Sequence, residues 1–468
     1  MQLTGSAFLF VFLPLSLLPV ILLPKKHRRL ALSLLSVIWY ILANQENLPG
    51  LLHIGALVSF AVLITYLPAP RTVTAAKLRT TIGVTLPILS LLSARIVSEY
   101  FNTAYRYPMG LLFVTLGVVS YTVDQARGDV IRPRNPLELI GYLLFFPTLI
   151  MGPVLKSKQY FDLTEEPAAS PELFCAGIRA YMLGYIKRIA VAAVLMRAMG
   201  DLLTYGVTAT SPLSLFLLLL FSYLYFYFFV TGSADLARGV CAMYGIRLPR
   251  DRGNAAFATT PDRMLYGTML SLRTYLLDYA VLPLRRKWTG VGGKFFTAVL
   301  LFVITVLVFR TRAESLLFAL PVLVFALLSR TEAVKKMVSC RQPLRILLTA
   351  LSAMLCSFFT LSILLKEPLQ IFSLIIAAFG HESVNGPFYI LGAMQDSTYL
   401  LIVMAVLFVL YPLAYLRKPI RRKVSERTQM VLSIISTALL FGGFLISLIY
   451  FMPQFPLYAE YAYGIYRM

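Results

Sequence analysis

The sequence predicts an all-α, polytopic membrane protein, and three observations carry that prediction. Of 468 residues, 59% are hydrophobic and only 14% are charged, an apolar share well above that of a soluble domain. Apolar stretches recur from Ala7–Leu23 through to Val431–Phe451, and at about 20 residues per crossing they amount to roughly 11 to 13 transmembrane or re-entrant helices. The net charge of +22 falls almost wholly in short connections between these stretches. Charge placed in that way reports membrane topology rather than a nucleic-acid surface.

The segments follow in an order that fixes an expected orientation. The first, Ala7–Leu23, is apolar from its start and is followed by KKHRR (Lys25–Arg29). A cleavable signal peptide carries its positive charges first, so this segment is expected to be retained. The second span ends in NQEN (Asn44–Asn47), which has no positive residue. RTVTAAKLRT (Arg71–Thr80) is basic, SEYFNTAYRYP (Ser98–Pro108) is nearly neutral, and ARGDVIRPR (Ala126–Arg134) is basic again. Positive loops stay in the cytoplasm, which puts the N-terminus outside. RKPIRRKVSER (Arg417–Arg427) precedes the last span, and the C-terminus is therefore expected outside as well, in a multi-pass protein of the cell membrane.

No long polar linker, low-complexity tract or internal repeat divides the chain, so residues 1–468 read as a single integral-membrane domain. Three zones differ in texture. Residues 1–125 are regular spans, 130–290 are short apolar runs interrupted by Gly, Pro and charge, and 294–468 return to long spans. Irregular segments between regular ones mark a buried site in the middle third. Cys175, Cys241, Cys340 and Cys356 form no CxxC pair and the chain has three histidines, so neither a disulfide framework nor a metal site is expected.

Within the middle zone, GYLLFFPTLIMGPVLKSKQYF (Gly141–Phe161) puts Pro147, Gly152 and Pro153 inside an apolar run. Proline removes an amide donor, so the backbone must break at membrane depth, where protein or a wet cavity has to satisfy it. Asp235 and Asp278 are carboxylates in apolar surroundings, and such groups are either functional or paired. Asp235 has Arg238 three residues on, at the spacing of a helical pair. Asp278 has Arg273 and the basic run Arg285, Arg286, Lys287 within reach in sequence.

Taken in order, these segments resemble the bacterial membrane-bound O-acyltransferase (MBOAT) family, of the alginate O-acetyltransferase type. Phe8–Tyr40 resembles that family's opening segment, basic turn and second span. Met109–Val130 keeps Gly110, Phe113, Thr115, Ser120, Tyr121, Asp124, Arg127 and Gly128 of its second motif. The broken segment matches its FFPxLIxGP core through Phe145, Phe146, Pro147, Leu149, Ile150, Gly152 and Pro153. Gly232–Pro249 resembles a further motif around Asp235, although Phe229 stands where the family has an aspartate. LIYFMPQF (Leu448–Phe455) is similar to the family's closing segment with two residues inserted.

The resemblance implies acyl transfer to a hydroxyl, with histidine as the base that takes the hydroxyl proton. Two histidines are expected, and this sequence departs at both. The register of Leu265–Leu284 puts Met269 at the first, and methionine is no useful proton acceptor. Arg310 falls at or beside the second; it is permanently charged and suited to an anion instead. His381, in AAFGHESVNGPFY (Ala377–Tyr389), is the remaining candidate for a catalytic base, displaced from the family's spacing. His27 and His53 have no catalytic context.

The same resemblance implies an acyl donor such as acetyl-CoA or a carrier-linked acyl group, with no bound cofactor. It implies membrane lipid, an exported polymer acceptor and a secreted or membrane partner acyltransferase as partners, and no nucleic acid. Loss of both histidines also fits a second reading, a catalytically degenerate homologue serving as a binding, scaffold or conduit component. A secondary transporter would show inverted repeats, and none is evident.

Overall fold

A computed structural model describes residues 3–68, 70–101, 105–165, 170–204, 211–251, 258–283, 295–296, 299, 314–328, 342–365, 367–380 and 426–451. Their secondary structure is helical throughout. A π-helical turn, Ala7–Phe12, leads into α1 (Leu13–Leu22), and α2 (Lys25–Asn44), α3 (Leu48–Tyr66), α4 (Val73–Tyr100) and α5 (Leu111–Arg127) follow. The helices then shorten to α6 (Pro136–Leu143), α7 (Phe146–Leu149) and α8 (Ser157–Glu165). Longer elements return with α9 (Pro171–Tyr185), a π segment Ile186–Ala192, α10 (Ala193–Thr204) and α11 (Pro212–Met243). After α12 (Pro261–Tyr266) and α13 (Leu270–Leu276), which continues into a π segment Leu277–Val281, come α14 (Glu314–Leu328), α15 (Gln342–Leu364), α16 (Gln370–Gly380) and α17 (Glu426–Ile446).

Local chemistry explains where several helices begin. Asn47 caps α3 by accepting the Gly50 amide at 3.2 Å, Thr72 caps α4 by accepting the Ala75 amide at 3.1 Å, and Asn135 caps α6 through the Leu137 amide at 2.9 Å. Each side chain satisfies an amide that the first helical turn would leave without a partner. Pro136 then occupies the first turn of α6, where its missing N–H costs nothing.

Four helical stretches are long and apolar enough to cross a bilayer: α3, residues 73–98 of α4, α11, and residues 345–364 of α15. The chain is thus an all-helical protein with several spans, and the described residues show four where the sequence predicts roughly 11 to 13. On α3, Ile54, Leu57, Val58 and Ala61 are buried, while Leu48, Leu52 and Leu63 are exposed. Apolar residues on both faces suit a helix packed on one side and in contact with lipid on the other.

The helices fall into two compact units that alternate along the chain. The first comprises Met1–Tyr181, Ser233–Asp251 and Met269–Thr311. Here α2 packs on α6 and α4 on α5, and α5 also meets α3, α6 and α8. Its core is aromatic. Phe146 is fully buried, with Phe12 at 5.5 Å, Trp39 at 5.6 Å, Tyr244 at 6.0 Å and Phe8 at 6.1 Å between ring centres. Edge-on and tilted pairs at these distances add to the burial of large rings, and they fasten α7 at the centre of the unit.

The second unit comprises Met182–Gly232, Arg252–Thr268 and Arg312–Met468. Its core is aliphatic and aromatic, built from Leu195 and Met199 of α10, Phe221 and Phe228 of α11, Leu361 of α15 and Leu374 of α16. α12 packs against α14 and α15, which also pack on each other. Phe229 has the Arg188 guanidinium 4.6 Å from its ring centre, a cation–π arrangement.

Candidate active site

The backbone breaks where the two prolines predict it. α7 is a single turn with Pro147 in it, Met151 takes φ +55°, and residues 152–156 form no helix before α8 begins at Ser157. Positive φ is costly for a side chain such as methionine, so the surrounding contacts must hold it. Gly152 is required by space, since a Cβ there would lie 2.6 Å from the Thr148 Cα. The main-chain groups freed by the break find protein partners. The Val154 amide donates to Ser271 Oγ at 2.9 Å, the Ser157 amide donates to Ser120 Oγ at 2.9 Å, and Tyr142 donates to the Leu155 carbonyl at 3.1 Å. Side chains from α5, α6 and α13 thereby replace the helical bonds that proline removes.

Those partners belong to a buried acidic network. Asp124 of α5 is 4% exposed, and its carboxylate accepts from Ser157 Oγ at 2.6 Å, from Tyr279 OH at 2.7 and 2.8 Å, and from Ser120 Oγ at 3.3 Å. Hydroxyl donors around a buried carboxylate are what keeps its charge tolerable. Beside it, Lys156 pairs with Asp278, and Arg127 both donates to the Asp278 carbonyl at 3.3 Å and sits 5.5 Å over the Tyr279 ring. Three stretches far apart in sequence, Ser120–Arg127, Lys156–Ser157 and Asp278–Tyr279, therefore meet in one hydrogen-bonded cluster.

A small cavity of about 20 Å³ is walled in part by the broken segment and by Ser271, the partner of its Val154 amide, with room for about one water molecule. Its wall includes Phe113 and Leu116 of α5, Gly152 and Val154 of the broken segment, and Asp251, Met269 and Ser271. Met269, which the sequence resemblance aligns with the family's first histidine, precedes α13 and faces this space. Asp251 lies in the connection after α11, outside the spanning helices, and is 6% exposed. It accepts the Ser271 amide through Oδ1, and its own carbonyl accepts the Leu270 amide at 3.2 Å. Burial pushes its carboxyl up from 3.8 to about 6, against the opposing hydrogen bonds from the Ser271 amide and hydroxyl.

The remaining candidates divide into three groups. Asp235, 3% exposed, pairs with Arg238 at 3.2 Å, as their spacing predicts. Asp278 takes Lys156 as its ion partner, 122 residues away. Arg310 and His381 lie outside the described residues, as do Arg285, Arg286 and Lys287. Asp251 is the site residue that sequence reasoning missed: it stands between Arg250 and Arg252 and reads there as part of a solvated charged loop. His53 also proves to be well connected, with Nε2 2.7 Å from Ser90 Oγ and Nδ1 2.9 Å from Tyr105 OH. That chain ties α3 to α4 and to the loop after it.

The proline-broken segment, the acidic network and the apolar cavity together form the candidate site of a helical protein with membrane-length apolar helices, and comparison with known proteins shows what the chain resembles. No family model matches the chain. It is 26% identical over 300 residues to the probable alginate O-acetylase AlgI of Azotobacter vinelandii, covering 61% of this chain and 60% of that protein. Against the protein of the same name from Pseudomonas aeruginosa it is 26% identical over 307 residues, 61% of this chain and 57% of that one. A shorter match, 27% over 89 residues, joins it to a teichoic acid D-alanyltransferase of Lacticaseibacillus rhamnosus, covering 18% of this chain and 22% of that one. The matched region thus spans about 60% of the length of the alginate O-acetylases it resembles.

Proposed function

We propose that the protein is a membrane-bound O-acyltransferase that moves acetyl, or another small acyl group, onto hydroxyls of an exported polysaccharide or cell-wall polymer. The donor in this reading is a cytoplasmic acyl thioester such as acetyl-CoA, or a carrier-linked acyl group. A secreted or membrane partner acyltransferase assists the transfer, and roughly 11 to 13 membrane segments place both termini outside. The observation that carries the reading is the meeting of the family-like stretches around Ser120 and Asp278 on the broken segment, whose Gly152 and Val154 line one cavity. Relatives named alginate O-acetylase and teichoic acid D-alanyltransferase support the same class of reaction and acceptor.

The test is the content of hydroxylamine-labile acyl esters in the envelope polymer of the native cells. Deleting the gene is expected to remove the esters and a plasmid copy to restore them; unchanged ester content on deletion contradicts the proposal. Met269 and Arg310 favour a second reading, a scaffold or conduit without chemistry of its own. Esters that need the protein but survive every substitution at Met269, Asp251, Arg310 and His381 would support the scaffold. His381→Ala by itself tests the remaining histidine: unchanged acylation excludes it as the base.

A further inference from the structure

The cavity retains a proton acceptor although the expected histidine is missing from its wall. We propose that Asp251 takes the proton from the acceptor hydroxyl, in the place that the family gives to the histidine matched by Met269. The proposal rests on the acyl-transfer reading above and names the group that would perform it.

Geometry is the first support. Asp251, Met269 and Ser271 share the cavity wall with Gly152 and Val154 of the broken segment. Among the described residues lining that space, Asp251 is the titratable one; the others are apolar apart from Ser271 and the main chain of Gly152. The cavity has room for about one water-sized group, the size of the hydroxyl that the proposal brings to Asp251. Ser271 holds the carboxylate in place. Its amide donates to Asp251 Oδ1, and its Oγ accepts the Val154 amide at 2.9 Å. A carboxylate has about four acceptor positions, so the bond from the Ser271 amide leaves room for a substrate hydroxyl.

Protonation is the second support. Burial raises the Asp251 carboxyl to about 6, close to the value of about 6.5 for an ordinary imidazole. A base poised near the working pH both exists in its ionised form and holds the proton well enough to take it. The other buried carboxylates described in this unit are already engaged: Asp124 accepts from Ser120, Ser157 and Tyr279, Asp235 pairs with Arg238, and neither lines the cavity.

The step balances without a further reagent. The Asp251 carboxylate takes the hydroxyl proton as the acceptor oxygen bonds to the carbonyl carbon of an acyl thioester. The tetrahedral adduct then collapses, the carbon–sulfur bond breaks, and the departing thiolate takes the proton back from the Asp251 carboxylic acid. An ester and a free thiol leave, and the protein ends as it began.

The experiment uses the full chain in its native membranes, an acetyl thioester as donor and the envelope polymer as acceptor. Asp251→Asn keeps a side-chain oxygen for the Ser271 amide and removes the base. It is expected to lower the transfer rate by about 10²- to 10⁴-fold, the usual contribution of a general base, with little change in KM. Adding Met269→His to that variant puts an imidazole back on the cavity wall and is expected to restore part of the rate. A loss on Asp251→Asn of less than about 10²-fold, the lower end of a general base's contribution, overturns the proposal. Should Asp251→Asn not accumulate, the wild type decides: a rate that falls below about pH 6 supports Asp251, and a flat rate across that range overturns it. A wild type that transfers nothing in membranes where it is present refutes the acyl-transfer reading itself, which separates the two failures.

Discussion

Replacing Tyr279 by Phe isolates the energetics of the acidic network. The phenol donates to Asp124 at 2.7 and 2.8 Å and lies 2.9 Å from Ser120 Oγ. Phenylalanine keeps the ring, and with it the 4.6 Å contact to Tyr275 and the position of Arg127 5.5 Å above it. The loss is then confined to hydrogen bonding. Because the acceptor is a buried carboxylate, the expected cost is about 1.5–3 kcal/mol rather than the 0.5–1.5 of a neutral pair. Asp124 keeps Ser157 at 2.6 Å, which limits the penalty. The assay is reversible unfolding of the purified full chain in mixed micelles with graded denaturing detergent. In an Asp124→Asn background the acceptor is neutral, so the same Tyr279→Phe change is expected to cost about 1 kcal/mol less. A cost below about 0.5 kcal/mol in wild type, the level of an ordinary surface substitution, refutes the account of the network. An equal cost in both backgrounds shows that the charge on Asp124 is not what Tyr279 serves.

Three further expectations concern packing and protonation. Gly152→Ala places a Cβ 2.6 Å from the Thr148 Cα; a loss of about 1–3 kcal/mol is expected from overpacking, and unfolding at the wild-type midpoint contradicts it. Gly239→Ala puts a Cβ 2.5 Å from the Tyr181 amide nitrogen, so α9 and the end of α11 must separate at a similar cost of about 1–3 kcal/mol; unchanged stability shows that they are not in close contact. Asp251 gives a pH dependence of definite sign. Its folded value of about 6 lies above its ordinary 3.8, so the folded state holds this proton after the unfolded state has released it. Its contribution is full below about pH 4 and is lost as pH rises to about 6, a change of about 3 kcal/mol at about 1.4 per pH unit. Asp251→Asn should remove that slope from the stability profile, and an identical slope in the variant refutes the assignment.

Features legible in the sequence were those written in local chemistry. Pro147, Gly152 and Pro153 announce a broken backbone because proline lacks a donor wherever it stands. Asp235 and Arg238 announce a pair because three residues along a helix bring side chains together. The partner of Asp278 was not legible, since Lys156 lies 122 residues away and the fold alone brings the two together. Asp251 was less legible still: between two arginines it reads as solvated, and only the packing of Met269–Leu272 against it makes it a buried carboxylate. His53, a polar residue in an apolar span, could have been flagged by the cost of burying it, but its links to Ser90 and Tyr105 depend on how α3 and α4 pack.

Acyl transfer in isolated native membranes tests the central claim most directly. Membranes holding the full chain are supplied with a thioester donor labelled in its acyl group, and the envelope polymer is then recovered. The account predicts label on the polymer as a hydroxylamine-labile ester, absent from membranes of the deletion strain and sharply reduced with Asp251→Asn. Polymer that stays unlabelled, with the folded protein present at its normal level, contradicts it.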